Sequence, residues 1–351
     1  MEEENIIRLS RDPSTGQFFA LLGGDRVSLA LEPSDVHDPT ELPTYLAGYR
    51  PFGFRADEAS RIVLVDNDED KYRQFSSDDA FRQVKVKGST QGAVPEVDPQ
   101  STLSTYKVVE RYIGSFIPVQ TQRNAGGNPN YDPRMAAGRR CMRALELDRE
   151  IDVFTLLGTA GSWNSVVQTA VSTAWDSTGD AIKDLQTAIE KSFQPVTEVW
   201  MNQKVAHAFL RNTSVRDHMR QMMGDSAASG AVLSVASAGS TNVDFVIPGL
   251  PPVRVVASRK KNETTAALEY TLPNVAVLVT TVPGSQPTSG DEIQSTATFR
   301  RRGPSGVGVE TREFFVENRG PLGGTMIVCS VADIPIMTSN LAGGILTGVH
   351  S

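Results

Sequence analysis

The stretch that most constrains this chain is DPRMAAGRRCMRALELDREIDVFTLLGTA, residues 132–160. Asp132 before Pro133 is a favoured order at a helix start: a side-chain acceptor at the cap, then a residue with a preset φ and no amide to satisfy. Met135, Met142 and Leu145, then Leu147, Ile151 and Phe154, recur at three-, four- and seven-residue spacings, and Gly158 supplies a stop. The spacing predicts a helix over about 133–157, roughly 37 Å long at 1.5 Å per residue. Its apolar residues fall on more than one face, which suits a strut better than a wholly interior element. Asp148, Glu150 and Asp152 lie on it, but residues two apart on a helix point in different directions. With Arg143 and Arg149 close by, a solvated, salt-bridged face is expected there rather than a catalytic acid pair.

The rest of the chain falls into segments around this helix. Residues 1 to about 55 read as an arm, with prolines, glycines and single aromatics but no helical or strand period. Phe18, Phe19, Tyr45, Tyr49, Phe52 and Phe54 favour an arm laid across a partner, because aromatics are costly to leave in water. Residues 62–65 make a short apolar strand, followed by the acidic turn DNDED. FRQVKVKG, residues 81–88, and YKVVERYIGSFIP, residues 106–118, alternate apolar and polar positions on either side of a Pro/Gly/Ser segment. Together they predict a long antiparallel excursion of strands at 80–87 and 105–117. Its edges need a cover, since bare strand edges aggregate.

Downstream, STGDAIKDLQTAIEKSFQP gives a second helix with Ile182, Leu185 and Ile189 on one face and Pro195 beyond its end. TEVWM is a buried strand. NQKVAHAFLRNTSVRDHMRQMMG is a third helical stretch, capped by Asn202, with a break at RNTS. Residues 222–242 are rich in small residues and read as a loop or tip. Strands then alternate with turns at DFVIPGLPPVRVVAS, NVAVLVTTVPG, TATFRRRG, GVGVETREFFVEN and TMIVCSVAD, before the glycine-rich tail IPIMTSNLAGGILTGVHS.

Composition narrows the functional classes. The chain has 351 residues, 39% hydrophobic, enough for a sizeable core in two domains or one extended one. A net charge of −7 gives no global basic footprint for nucleic acid or an anionic membrane, and MEEEN and DNDED read as solvated acidic runs. No apolar run approaches the roughly 20 residues of a membrane span, and the acidic start lacks the order of a secretory signal. Cys141 and Cys329, far apart in sequence and in apolar company, read as buried small hydrophobes of a protein made in a reducing cytoplasm.

The search for chemistry yields no catalytic, cofactor-binding or metal-binding residues. No phosphate loop, zincin helix, nucleophile elbow or dinucleotide fingerprint stands at proper spacing. His37, His207, His218 and His350 lack acidic or cysteine partners at metal spacing; His207 and His218 share a helical face only if that helix is unbroken. The basic run at residues 300–302 is expected to pair with acidic neighbours or another subunit in preference to phosphates. Trp163, Trp175 and Trp200 read as core anchors. The sequons at Asn212 and Asn262 carry no meaning without a secretory route.

The order of these pieces resembles the major capsid proteins of tailed bacteriophages, whose fold is shared with encapsulin shells. The resemblance rests on GAVPEVDPQSTLSTYKVVERYIGSFIP ahead of the long helix, and on PVTEVWMNQKVAHAFLRN, where a proline and a short strand ending in Met-Asn lead into a helix. It spans residues 40–340 as an architecture and is most specific over 90–215. It implies an α+β fold with an N-terminal arm (1–55), an extended β-hairpin loop (56–118) and a peripheral domain with the spine helix (119–194). An axial domain (195–290), peripheral strands (291–331) and a segment returning to the axial domain (332–351) complete it.

The resemblance further implies a subunit that self-assembles through hexamers and pentamers into an icosahedral head enclosing double-stranded DNA. That subunit is not an enzyme and needs no cofactor. Its expected partners are other copies of itself, a separate scaffolding protein and portal during assembly, a decoration or cement protein, and packaged DNA through non-specific contact. No membrane is expected, and its place is the virion, assembled in a host cytoplasm. Some family members cross-link through a loop lysine, and Lys71, Lys85 and Lys87 are available here. Two alternatives stand beside this reading: an encapsulin-type nanocompartment shell, and a cytoplasmic α+β enzyme using the acidic pair or His207.

Overall fold

The computed structural model describes residues 8–11, 18–22, 25–28, 46, 49, 51–75, 102–125, 132–223, 244–262, 264–281, 293–303, 308–317, 319 and 322–351. In chain order the elements begin with β1 (Arg8–Arg11), β2 (Phe18–Leu22), β3 (Asp25–Ser28), α1 (Ala56–Ala59) and β4 (Arg61–Val65). Next come β5 (Glu69–Gln74), β6 (Thr102–Lys107), β7 (Val109–Pro118), α2 (Val119–Ala125) and α3 (Pro133–Gly158). They continue with β8 (Gln168–Ala170), α4 (Ala181–Lys191), β9 (Glu198–Asn202), α5 (Gln203–Arg211) and α6 (Thr213–Met223). The remainder is β10 (Val253–Val256), β11 (Arg259–Lys261), β12 (Leu268–Tyr270), β13 (Ala276–Val279), β14 (Thr296–Arg301), β15 (Val309–Val316), β16 (Gly324–Met337) and β17 (Gly343–Thr347). The chain divides into two units: Met1–Tyr49 with Tyr112–Met142 and Val309–Ser330, and Arg50–Arg111 with Arg143–Gly308 and Val331–Ser351.

In the first unit, β1, β2 and β3 form an antiparallel meander, with Arg8 opposite Leu21 and Phe19 opposite Ser28. This departs from the irregular arm expected of the sequence; runs of four or five residues are too short to display a period of two. The start of α3 is as expected. Asp132 Oδ1 accepts from the Arg134 amide at 2.8 Å, and the Asp132 carbonyl from the Ala136 amide at 3.0 Å. In this unit α3 buries Ala137, Cys141 and Met142. Gly138 admits Leu46, since a Cβ there would stand 2.8 Å from Leu46 Cδ1. Both β7 and β15 pair with β16.

The second unit is organised by a five-stranded sheet in the order β10-β9-β13-β17-β8, with parallel pairs at its two ends and antiparallel pairs between. Alternation along each strand assigns its side chains to two cores. Val199, Met201, Val253, Val255, Ala276, Leu278 and Leu346 join Leu185, Val205, Phe209 and Val215 of α4, α5 and α6. Trp200, Val256, Val277, Val279 and Ile345 join Val153, Phe154 and Leu157 of α3. A sheet covered on both faces needs apolar residues at every position, which is why VWM and AVLV are continuous apolar runs. Trp163, Trp175 and Trp200 are all buried in these cores. β8 pairs with β17 of this sheet, and Leu185 of α4 lies in its first core.

Capping fixes where the helices begin. Asp180 accepts from the Lys183 amide at 3.2 Å, and Asn202 from the Val205 amide at 2.8 Å. Asn212 sits in extended backbone between α5 and α6, accepts from Ser214 N at 3.0 Å, and donates through Nδ2 to the carbonyls of Trp175 and Gly179. The third helical stretch is therefore broken at RNTS.

A second sheet of this unit places β14 between β4, parallel, and the end of β16, antiparallel. The residues IPIM, read from sequence as the start of the tail, are the last of β16. Ala297 and Phe299 of β14 face an apolar cluster with Val63, Tyr106, Val108 and Ala332. On its other face, Thr296 Oγ1 donates to the Ala59 carbonyl at 3.0 Å and Thr298 shares a hydrogen bond with Ser60 at 2.8 Å.

The glycines of the tail are set by close approach in the central sheet. Gly343 has φ +119°, and a Cβ there would lie 2.2 Å from the Leu278 carbonyl oxygen. Gly343→Ala should therefore destabilise the protein by about 2–3 kcal/mol, read as a lower midpoint in urea unfolding.

Candidate functional site

Two features of the second unit carry its functional character: a hairpin that lies on the β14 sheet, and charged groups carried into the interior by α3. β5 and β6 pair antiparallel, with Glu69 opposite Lys107, Tyr72 opposite Ser104 and Gln74 opposite Thr102. One face of the hairpin is fixed to the protein. The Tyr106 ring stacks on Phe299 with centroids 4.5 Å apart and planes at 3°, and Tyr72 leans on the same ring at 5.7 Å. The opposite face carries Glu69, Lys71, Arg73, Leu103, Thr105 and Lys107, all exposed, with Leu103 at 64%. The strand paired with β6 is EDKYRQ; the strand expected at residues 80–87, with Lys85 and Lys87, lies outside the described residues. DNDED is only partly a turn, since Glu69 and Asp70 already belong to β5.

Gln74 and Thr102 stand opposite each other at the hairpin's end, where two residues would suffice to close a turn. Residues 75–101 join them instead. In the first unit, Tyr112, Phe315 and Leu322 are about half exposed.

The basic run at residues 300–302 is spent on acidic neighbours within the same unit. Arg300 is buried and donates to Asp333 at 2.9 Å, with Glu146 at 3.8 Å. Arg301 binds Asp68 and Glu110, each at 3.0 Å, and Arg302 lies 3.6 Å from Asp66.

The solvated face expected for residues 148–152 needs correction. Asp148 is exposed, but Arg149 and Glu150 are buried, as is Glu146. Arg149 pairs with Glu146 at 2.9 Å and with Asp57, and Arg111 with Asp152 at 2.5 Å and Asp148 at 3.3 Å. The apolar stripe shifts accordingly: Val153, Phe154 and Leu157 are buried, whereas Leu147 and Ile151 are only half-buried. Charges from α1, β14 and β16 meet α3 on the face that a sequence reading gives to solvent.

Glu150 shows what this arrangement does. Its carboxylate is fully buried and accepts from the amides of Arg55, at 2.9 Å, and Ala56, at 2.7 Å, and from Ser258 Oγ at 2.8 Å. It therefore fixes the point at which the N-terminal segment enters this unit. Next to it the Arg55 guanidinium donates to both oxygens of Asp244, at 2.5 and 2.7 Å, and lies over the Trp200 ring at 5.4 Å. Asp244 also accepts from Arg254 at 2.7 Å, and Arg254 reaches Glu198 at 2.9 Å. Burial alone would raise the Asp244 carboxyl, but bonds from Arg55 and Arg254 outweigh it and hold that carboxyl below its ordinary value. Nothing in FGFRADE or in DFVIP marks Arg55 or Asp244 as partners; only the fold brings them together.

A cleft of about 310 Å³ lies elsewhere in this unit, lined by Trp175, Asp176, Lys204, His207, Arg211 and His350 among others. His350 is 3.3 Å from Asp176, whose carboxyl is held below its usual value first by the Ser351 hydroxyl. His207 is exposed there, and His218 instead hydrogen-bonds the Pro248 carbonyl at 3.0 Å. Glu150, the carboxyl pushed furthest toward neutral pH, is not among the cleft residues. Among the described residues no group of three or more His, Cys, Asp or Glu could hold a metal ion, and no helix is long and apolar enough to cross a membrane. His37 lies outside the described residues.

The chain has the tailed-phage capsid fold, an α+β architecture. It superimposes on a phage-related protein from Bordetella bronchiseptica RB50 with a TM-score of 0.63 at 15% identity, over 90% of this chain and 98% of that one. It also superimposes on a prophage protein of E. coli CFT073, proposed to be a capsid protein, with a TM-score of 0.55 at 10% identity over 89% and 99% of the two chains. At such identities the likeness is one of fold. No protein-family model matches the chain, and no curated protein matches it in sequence.

Burial pushes the Glu150 carboxyl up to about 7, against bonds from Ser258, Ala56 and Arg55 and the charge of Arg149; its unperturbed value is 4.5. Between those values the folded chain binds more protons than the unfolded one, so this group's contribution to stability falls as pH rises through that window. Glu150→Gln keeps an acceptor and removes the titration. The stability lost by the parent chain between about pH 5 and pH 8 should exceed that lost by the variant by roughly 2–3 kcal/mol, measured by urea unfolding at each pH.

Proposed function

We propose that this chain is the major capsid protein of a tailed phage, assembling through hexamers and pentamers into an icosahedral head around double-stranded DNA. The observation that carries this reading is the β5–β6 hairpin. Its two strands end as cross-strand neighbours, yet residues 75–101 join them, a long polar detour unnecessary for closing the turn. Residues 76–101 lie outside the described residues, and on this reading they serve as contact area for neighbouring subunits. The capsid fold gives the detour a context, as an extended loop reaching other copies of the chain. Exposed Tyr112, Phe315 and Leu322 supply further apolar contact area.

On this reading residues 1–55 are the N-terminal arm and 56–118 the extended loop. The peripheral domain takes 119–194 with the spine helix and 291–331, and the axial domain takes 195–290 with 332–351. A separate scaffolding protein and a portal act during assembly in the host cytoplasm, and the finished subunit resides in the virion. A decoration protein and the packaged DNA are its other contacts, the latter non-specific. The chain needs no catalytic residue for this task.

Electron microscopy of the purified chain, beside sedimentation in physiological salt, tests the proposal. Closed polyhedra, tubes, or rings of five or six subunits are expected; a uniform small oligomer, with or without co-expressed scaffold, would refute it. Replacing residues 76–101 by a short Gly/Ser turn should leave a folded subunit, because Gln74 and Thr102 already face each other. That variant should no longer form closed particles, and closed shells from it would remove the loop from its role.

A further inference from the structure

The cleft beside α5 carries a charge opposite to that of the chain as a whole. Lys204, His207 and Arg211 all line it, and on a helix their three- and four-residue spacings bring them within about 60° of one another. The other side of α5 fixes this orientation, since Val205 and Phe209 are buried in the apolar core with Leu185 and Val215. The three polar side chains are left exposed. Elsewhere in the unit arginines are drawn to acids, Arg254 to Glu198 at 2.9 Å and Arg301 to Asp68 and Glu110 at 3.0 Å. Among the described residues Lys204 and Arg211 have no acidic partner. Asp176, the carboxylate of the lining, accepts from the Ser351 hydroxyl at 2.6 Å and lies 3.3 Å from His350. Two unpaired cations thus face one concave space in a chain whose net charge is −7.

We propose that this cleft binds a phosphate group, carried by a nucleotide or by a nucleic-acid strand. The donor set suits phosphate better than carboxylate. Arg211 offers a planar fork of N–H groups and Lys204 a compact point charge, while the hydroxyls of Ser177 and Thr213 stand at the same cleft. His207 lies between the two cations along the helix and adds a ring nitrogen. These groups outnumber the two oxygens of a carboxylate and match the oxygens of a phosphate ester. A volume of about 310 Å³ falls at the small end of the range for small-molecule sites, roughly 300–1,000 Å³, and leaves room for more than a bare ion. The charge and shape are those of a single chain, so the binding does not depend on the capsid reading.

The test uses the purified full chain. Thymidine 5′-monophosphate and citrate are titrated by calorimetry, and a labelled single-stranded oligothymidylate by fluorescence anisotropy. Saturable binding of the nucleotide or the oligonucleotide is expected, with citrate at least ~10-fold weaker. Lys204→Gln combined with Arg211→Gln should weaken the phosphate ligand at least ~10-fold. The melting temperature should stay as it was, because both side chains are exposed. Lys261→Gln removes an exposed charge outside the cleft lining and should leave the affinity unchanged. For the oligonucleotide, the double variant should also flatten the dependence of log affinity on log salt by ~1.4, the value for two lost phosphate contacts on a single strand. Equal affinity for nucleotide and oligonucleotide would assign the site to a free phosphate ester, and a much tighter oligonucleotide to the backbone of a strand. No saturable binding at millimolar ligand, citrate bound as tightly, full affinity in the double variant, or an equal loss in Lys261→Gln would each overturn the proposal. None of these outcomes bears on shell formation, which microscopy reads separately.

Discussion

Glu150 sets the terms on which the second unit is built. A carboxylate taken wholly out of water is tolerated only where donors surround it, and here the donors are two backbone amides and a hydroxyl. The amides belong to the chain entering α1, so satisfying the charge and placing that chain are one event. Arg55, positioned by the same contact, turns its guanidinium to Asp244 and Trp200, and Asp244 recruits Arg254 and Glu198. A sequence of pairings thus ties the residues before β4 to the sheet. Removing Asp244 would take the shared acceptor from Arg55 and Arg254 and leave each to a single acidic partner, Glu58 and Glu198.

The long helix has a different task on each side. Val153, Phe154 and Leu157 meet the sheet as apolar surface, while Glu146, Arg149 and Glu150 meet α1, β14 and the loop carrying Ser258 through charge. Apolar packing is forgiving of small rotations, whereas hydrogen-bonded charges are not. The combination fixes α3 both against the sheet and in rotation about its own axis.

Local signals survive translation from sequence to structure, and distant pairings do not. Asp132-Pro133, Asp180 and Asn202 mark helix starts because a cap acts over three residues. The apolar runs of β9 and β13 announce a sheet buried on both faces. Glu150 was legible only as one of several charges on a helix, since its donors lie 94 to 108 positions away. The strand β5 was hidden because EDKYRQ carries one tyrosine among charged and polar residues, which shows no apolar alternation.

The place of β17 has a consequence for the ribosome. This strand inserts between β13 and β8, and its parallel partner β8 was synthesised more than 170 residues earlier. The five-stranded sheet cannot close until residue 347 has left the exit tunnel, so β8 and the apolar faces around it must wait for β17. Pairings between such distant segments form slowly and leave apolar surface open in the interval. Synthesis interrupted before β17 would yield fragments whose central sheet lacks a strand.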